Sequence, residues 1–257
     1  MGTIGFHGKL PAHGDFVRRG LDHQVAEAWD TWLGRLMSAL RDDLGEETWL
    51  ETYLTGPVWR FALGAGISGR AQTGVVVPSV DRVGRYFPLM LAAPVDDLPS
   101  LAAVLRDGRP LLDALEDLAL AVLEADQPLT AEDLEEALHD LEWAWPPVAT
   151  RPSPGPGQPG TWVPLGGEGV GAAAAAIADL LDRGVPLPVD GDGGLWWTEG
   201  SEHVGPGLVR VTGWPRPSAA VSFFDGAWAA RGWTDEDVAP PFAGRTNGAG
   251  LEHHDGG

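Results

Sequence analysis

The apolar positions of this chain recur with two periods. Over residues 23–43, Val25, Trp29, Trp32, Leu33, Leu36 and Leu40 return at three- and four-residue spacing, which predicts a helix with one buried face. Asp22 stands where a cap belongs, and Gly45 suits the stop. A short second helix follows, with Trp49, Leu50, Tyr53 and Leu54 on one side, and Gly56-Pro57 ends it. The period then changes to two. In residues 58–63, Trp59, Phe61 and Leu63 share one face of a predicted strand. Residues 74–80 hold Val75, Val76 and Val77 in succession, the pattern of a strand buried on both faces. Residues 85–94 are similarly apolar, but Pro88 has no N–H for a ladder, so that strand is expected to be irregular there.

A first strand is expected within residues 2–10, broken by the Pro11-Ala-His-Gly14 run. Residues 97–142 read as helices. Leu111, Leu112, Leu115, Leu118, Val122 and Leu123 form one stripe, and Thr130-Ala-Glu-Asp133 resembles a capping arrangement before Leu134, Leu138 and Leu141. Six Pro and three Gly make residues 146–160 a loop. A strand near 161–165, an Ala-rich helix near 170–183, strands near 195–198 and 208–214, and a short helix within 215–224 complete the reading. From 239 to 257 the Gly, Pro and polar content predicts a flexible tail. No internal repeat is visible. The expected architecture is a single α/β domain over residues 1–238, a sandwich of helices packed on a mixed, largely antiparallel central sheet.

Composition narrows the function. The 257 residues suffice for a substantial core, and 44% hydrophobic content places the chain among globular proteins. With no Cys, disulfides, thiolate nucleophiles and Cys-built metal sites are excluded. No basic region followed by an apolar run opens the sequence, and no apolar stretch reaches the roughly 18 residues of a membrane span. A soluble cytoplasmic protein is the expectation, with no nucleic-acid partner and no membrane insertion. The formal charge of −20, from 17 basic and 37 acidic side chains, argues against polyanionic partners. The acid is concentrated: residues 96–142 carry 14 acidic and 2 basic side chains. They form either solvated helix faces or a docking face for a basic partner.

Two motifs suggest chemistry without completing it. Gly64-Ala-Gly-Ile-Ser-Gly69 matches a dinucleotide-binding fingerprint, but a β-type run follows it where a helix should, and the nearest later acid is Asp81. These glycines read as a hairpin connection, and no cofactor is expected. His7, His13 and Asp15 lie within nine residues and have metal-ligand chemistry, yet turn and core roles account for them as well. No nucleophile elbow, zinc-protease helix, phosphate loop or calcium loop occurs.

Four segments put charged residues beside Gly, Pro and aromatics: residues 8–16, 57–61, 78–88 and 196–202. Such segments suit sharp turns held by ion pairs, or a recognition surface. Asp81 with Arg82 or Arg85, and Asp15 with Arg18, are candidate pairs. Lys9, His13, Asp15, Arg18, Asp81, Arg82, Arg85, Trp196, Trp197 and Glu199 are the candidate partner-binding or motif-fixing residues, with no catalytic residue among them.

At these residues the chain resembles the TagF family, also called ImpM, of type VI secretion accessory proteins. The matching pieces run in order: GFHGKLPAHGDF at 5–16, RGL at 19–21, WDTWL at 29–33, PVWRF at 57–61, PSVDRVGRYFPL at 78–89 and LWWTEGSE at 195–202. The resemblance covers residues 5 to about 225. It implies an α/β sandwich and a non-catalytic, cytoplasmic, post-translational repressor of type VI secretion that binds the forkhead-associated (Fha) scaffold protein of that system. Some relatives are fused to a phosphatase domain, whose metal motif this chain lacks. The alternative from a different class is a small hydrolase or phosphatase of the same pathway, which would need a concave site with perturbed titratable groups.

Overall fold

The computed structural model describes residues 3–96, 98, 100–141, 143, 161–164 and 189–235. The predicted loop at 146–160, the helix near 170–183 and the tail at 239–257 lie outside the described residues. The strands are β1 (Gly5–Gly8), β2 (Val17–Arg19), β3 (Trp59–Leu63), β4 (Gln72–Val77), β5 (Leu89–Pro94), β6 (Thr161–Pro164), β7 (Gly193–Thr198), β8 (Gly207–Thr212) and β9 (Thr234–Asp235). They form a nine-stranded sheet in the order β2-β1-β5-β4-β3-β7-β8-β6-β9. Each neighbouring pair is antiparallel except β6 with β9. The expected mixed, largely antiparallel sheet is present, and β3, β4 and β5 are neighbours within it.

The helices are α1 (His23–Leu54), α2 (Ala65–Ser68), α3 (Ala102–Asp107), α4 (Arg109–Glu124), α5 (Ala131–His139), α6 (Pro217–Ala220) and α7 (Ser222–Asp225). Period-two alternation sorts the sheet's side chains between two helical layers. Trp59, Phe61, Leu63, Val76, Met90 and Trp196 face α1 and the C-terminal helices, meeting Trp29, Trp32, Leu36 and Phe223. Ala62, Val75, Val77, Leu89, Leu91 and Trp197 face the other way, onto Leu111, Leu112, Leu115, Leu134 and Leu138 of α4 and α5. The uninterrupted valines of β4 are therefore divided between two cores. Burial of each such large side chain contributes about 1.5–3 kcal/mol.

Gly45 interrupts α1 with φ 73° and ψ 167°, a left-handed conformation open to glycine, so the predicted stop and second short helix are both seen. The irregularity expected at Pro88 places the start of β5 just after it, at Leu89. Indole N–H groups fasten the C-terminal segment: Trp59 donates to the Phe223 carbonyl at 2.9 Å and Trp233 to that of Ala219 at 2.8 Å. Within the Gly64–Gly69 motif, Gly64 and Gly66 donate their N–H groups to the carbonyls of Gly193 and Gly191, both at 2.9 Å. Those donors are spent inside the fold, and the segment joins antiparallel β3 to β4 as expected.

Candidate functional site

Two loops at one end of β1 and β5 are welded into a platform. β1 ends at Gly8, whose φ is +139° and where a Cβ would lie 2.1 Å from the Pro88 carbonyl oxygen, so only glycine lets the strands approach there. The next residue, Lys9, is buried, as is Asp81. A buried charge is costly unless it is paired and fully hydrogen-bonded. Both conditions are met at Asp81. Its Oδ2 accepts from Lys9 Nζ at 2.5 Å and from Arg85 Nε at 2.8 Å. Its Oδ1 accepts from the backbone N–H of Val83 at 3.0 Å and of Arg85 at 2.9 Å. Burial pushes the carboxyl's proton affinity up, but the hydrogen bonds from Lys9, Arg85 and Val83 outweigh it and hold Asp81 well below the usual carboxylate range.

The surrounding bonds leave little freedom. Ser79 Oγ donates to the Lys9 carbonyl at 2.8 Å. The Tyr53 hydroxyl donates to the Ser79 carbonyl at 2.8 Å and accepts from its N–H at 2.7 Å, and burial pushes the phenol's pKa well up. Arg82 donates its backbone N–H to the His13 carbonyl at 2.9 Å, and the Arg85 guanidinium donates to the Gly14 carbonyl. His13 Nε2 accepts the Ala131 N–H at 2.9 Å, which ties the platform to the first turn of α5. Phe16 covers the assembly, with Lys9 Nζ 4.4 Å from its ring centre and the Phe87 ring 4.8 Å away edge-on.

What this scaffold displays is mainly apolar and basic, with the exposed Asp15 carboxylate turned to Arg85. Phe16 is 50% exposed and Val83 63% exposed, the two most prominent apolar side chains of the 8–16 and 79–88 segments. Arg18 and Arg82 are exposed beside them and make no ion pair among the described residues. Seven of the sequence-predicted residues, Lys9, His13, Asp15, Arg18, Asp81, Arg82 and Arg85, thus fall on or under one platform. Asp81 pairs with Arg85 as expected, but not with Arg82. Asp15 lies 3.6 Å from Arg85 rather than pairing with Arg18.

The remaining three candidates stand apart. Trp196 and Trp197 are buried on opposite faces of β7, so they fix the fold rather than meet a partner. Trp196 packs against Trp32, Phe61 and Phe223, each with ring centres 5.4 Å away. Glu199 is exposed after β7. The possible metal trio also disperses: His7 Nε2 meets Asp30 at 3.2 Å, His13 serves α5 and Asp15 faces Arg85. Among the described residues no cluster of His, Asp or Glu is arranged to hold a metal ion. Nothing in the spacing of the sequence pointed to Tyr53 or to the Lys9–Asp81 pair.

The acidic segment is partly spent internally. Arg60 of β3 grips Asp113 at 2.7 Å and Glu116 at 2.8 Å on α4. Arg70 pairs with Asp96 at 2.8 Å, and Arg19 reaches Glu132 at 3.3 Å and Glu135 at 3.4 Å. Asp117, Glu124 and Glu136 remain exposed. No helix among the described residues is long and apolar enough to cross a membrane.

Comparison with known proteins places these features. The family profile of the TagF N-terminal domain, described as type VI secretion system-associated, matches residues 5–141. Among curated proteins no match was found. Among solved structures, PA0076 from Pseudomonas aeruginosa PAO1 is similar over 94% of this chain and 99% of its own, with 32% identity and a TM-score of 0.65.

Proposed function

The chain belongs to the TagF family of type VI secretion-associated proteins, and on that premise we propose that it is a cytoplasmic, non-catalytic repressor of type VI secretion that acts by binding an Fha-type scaffold protein. The platform built by the family signature is its contact face. The observation that supports this reading is the division of labour at residues 79–85. The buried charged groups are consumed by the fold: Asp81 orders its own loop through Val83 and Arg85 and ties that loop to the other through Lys9. Of the groups left to the surface, Asp15 and Arg85 face each other, and Phe16, Val83, Arg18 and Arg82 are those of a recognition patch: apolar anchors with guanidinium groups. Rigid support of such anchors lowers the ordering cost of association.

A binder acts in proportion to its amount. Secretion should fall in step with expression of the chain and reach completion only when it matches the scaffold. Complete repression by a trace amount would overturn sequestration and favour the hydrolase or phosphatase alternative.

A further inference from the structure

Away from the platform, a groove of about 560 Å3 opens between α1 and the segment that leads from β8 into α6. Trp32 and Trp214 stack in it, with ring centres 4.8 Å apart and planes within 20°. Trp32 Nε1 donates to the Pro215 carbonyl at 2.8 Å, which pins one wall to the other. Trp214 is only partly covered, and Pro215 and Pro217 extend the apolar wall. Arg35 of α1 and Arg216 also line the groove.

Both arginines are exposed, and neither makes an ion pair among the described residues. Arg18 and Arg82 of the platform share that state, whereas other arginines of this acidic chain are neutralised. Arg19, Arg60, Arg70, Arg85, Arg109 and Arg231 each have a carboxylate within ion-pair distance. Two unpaired guanidiniums in one aromatic groove form a positive spot on a strongly negative molecule, and guanidinium geometry favours carboxylates. The groove is also directional. Glu27 lies at the end nearer the start of α1, beside His23 at 3.6 Å, whereas Arg35 is two turns further on. Its shape suits a chain segment: Gln24 and Arg35 are separated along the helix by about 16 Å, the span of about five extended residues.

We infer that this groove is a docking site for an acidic, extended segment of a partner protein. The segment lays a proline or aromatic side chain on Trp214 and presents carboxylates to Arg35 and Arg216. The inference is independent of the scaffold reading, because it uses none of the platform residues.

The test is fluorescence anisotropy of a labelled hexapeptide, Glu-Glu-Trp-Pro-Glu-Glu, titrated with the whole chain, beside the same peptide with Lys for Glu. General electrostatics would repel an acidic peptide from a molecule of charge −20, so saturable binding of it requires a local positive site. The acidic peptide should bind with a Kd below about 1 mM and weaken as salt rises from about 50 to about 300 mM. The double variant Arg35→Glu/Arg216→Glu should lose at least about tenfold in affinity, while Arg18→Glu/Arg82→Glu should leave it unchanged. The proposal is overturned by no saturation at about 1 mM, by equal binding of the Lys peptide, or by an unaffected groove variant. Loss of binding in the platform variant alone, or full competition by citrate at the peptide's own concentration, would overturn it as well.

Discussion

Asp81 has no exposed side-chain surface, and its partner Lys9 is nearly as enclosed. Removing one member of such a pair leaves a buried charge without compensation, which costs about 3–5 kcal/mol. Asp81→Asn should therefore lower the denaturation midpoint markedly, whereas Arg82→Ala, at an exposed unpaired side chain, should shift stability by less than about 0.5 kcal/mol. The pH dependence follows from the direction of the shift. Asp81 is held below its ordinary value in the fold, so its contribution is complete above the unfolded value near 3.9 and is lost as pH falls toward the folded one. His7 behaves likewise at higher pH. Burial lowers its pKa below 6.5 against the opposing pull of Asp30, so its contribution is complete above about 6.5 and declines as pH falls. Acid titration of stability should show both declines, and Asp81→Asn should reduce the lower one, to which the capping Asp133 also contributes, while leaving the upper one in place. At this level the sequence was half legible. The Asp81–Arg85 pair could be read because its members stand only four positions apart. Lys9, 72 residues away, comes to Asp81 only through the β1–β5 pairing, which no local spacing encodes.

Among the elements, those with long periods were the legible ones. The α1 stripe, its break at Gly45 and the three strands β3, β4 and β5 all stand near their expected places. The three-residue β2, with two arginines in it, carries no apolar period and exists because β1 offers it an edge. The capping reading at Thr130 was sound. Thr130 Oγ1 accepts from the Asp133 N–H at 3.2 Å and the Asp133 carboxylate accepts from the Thr130 N–H at 2.9 Å. Thr130→Ala should cost about 1 kcal/mol in global stability, measured by denaturant unfolding. On the acidic helices only some of the carboxylates can be changed without disturbing the fold. Glu132 and Glu135 hold Arg19, so reversing them would disturb β2 as well as the surface. Asp117→Lys/Glu124→Lys/Glu136→Lys changes only exposed acids. With the platform as contact face, that triple variant should bind the scaffold within about threefold of the parent, and a larger loss would move the interface to the helices.

The whole molecule is less divisible than its family match suggests. The TagF N-terminal match ends at residue 141, yet β7, from the C-terminal part, pairs directly with β3. Trp196 on that strand completes the aromatic core of α1, and Phe223 stacks on Trp59 with ring centres 4.4 Å apart. Both helical layers therefore depend on residues from both parts of the chain. Charge is divided as well: the platform and the Trp214 groove keep unpaired arginines, while α4 and α5 together carry eight acidic side chains against the single Arg109. The layered α/β class was legible from alternation alone, but the central place of β7 was not, because a strand's neighbours depend on chain connection rather than composition. The most direct measurement is calorimetric titration of the Fha-type scaffold with the purified chain and its Arg18→Glu/Arg82→Glu variant. Saturable binding by the parent, weakened at least about tenfold in a variant of unchanged melting temperature, is the predicted result. No binding by the parent, or equal binding by both, would contradict it.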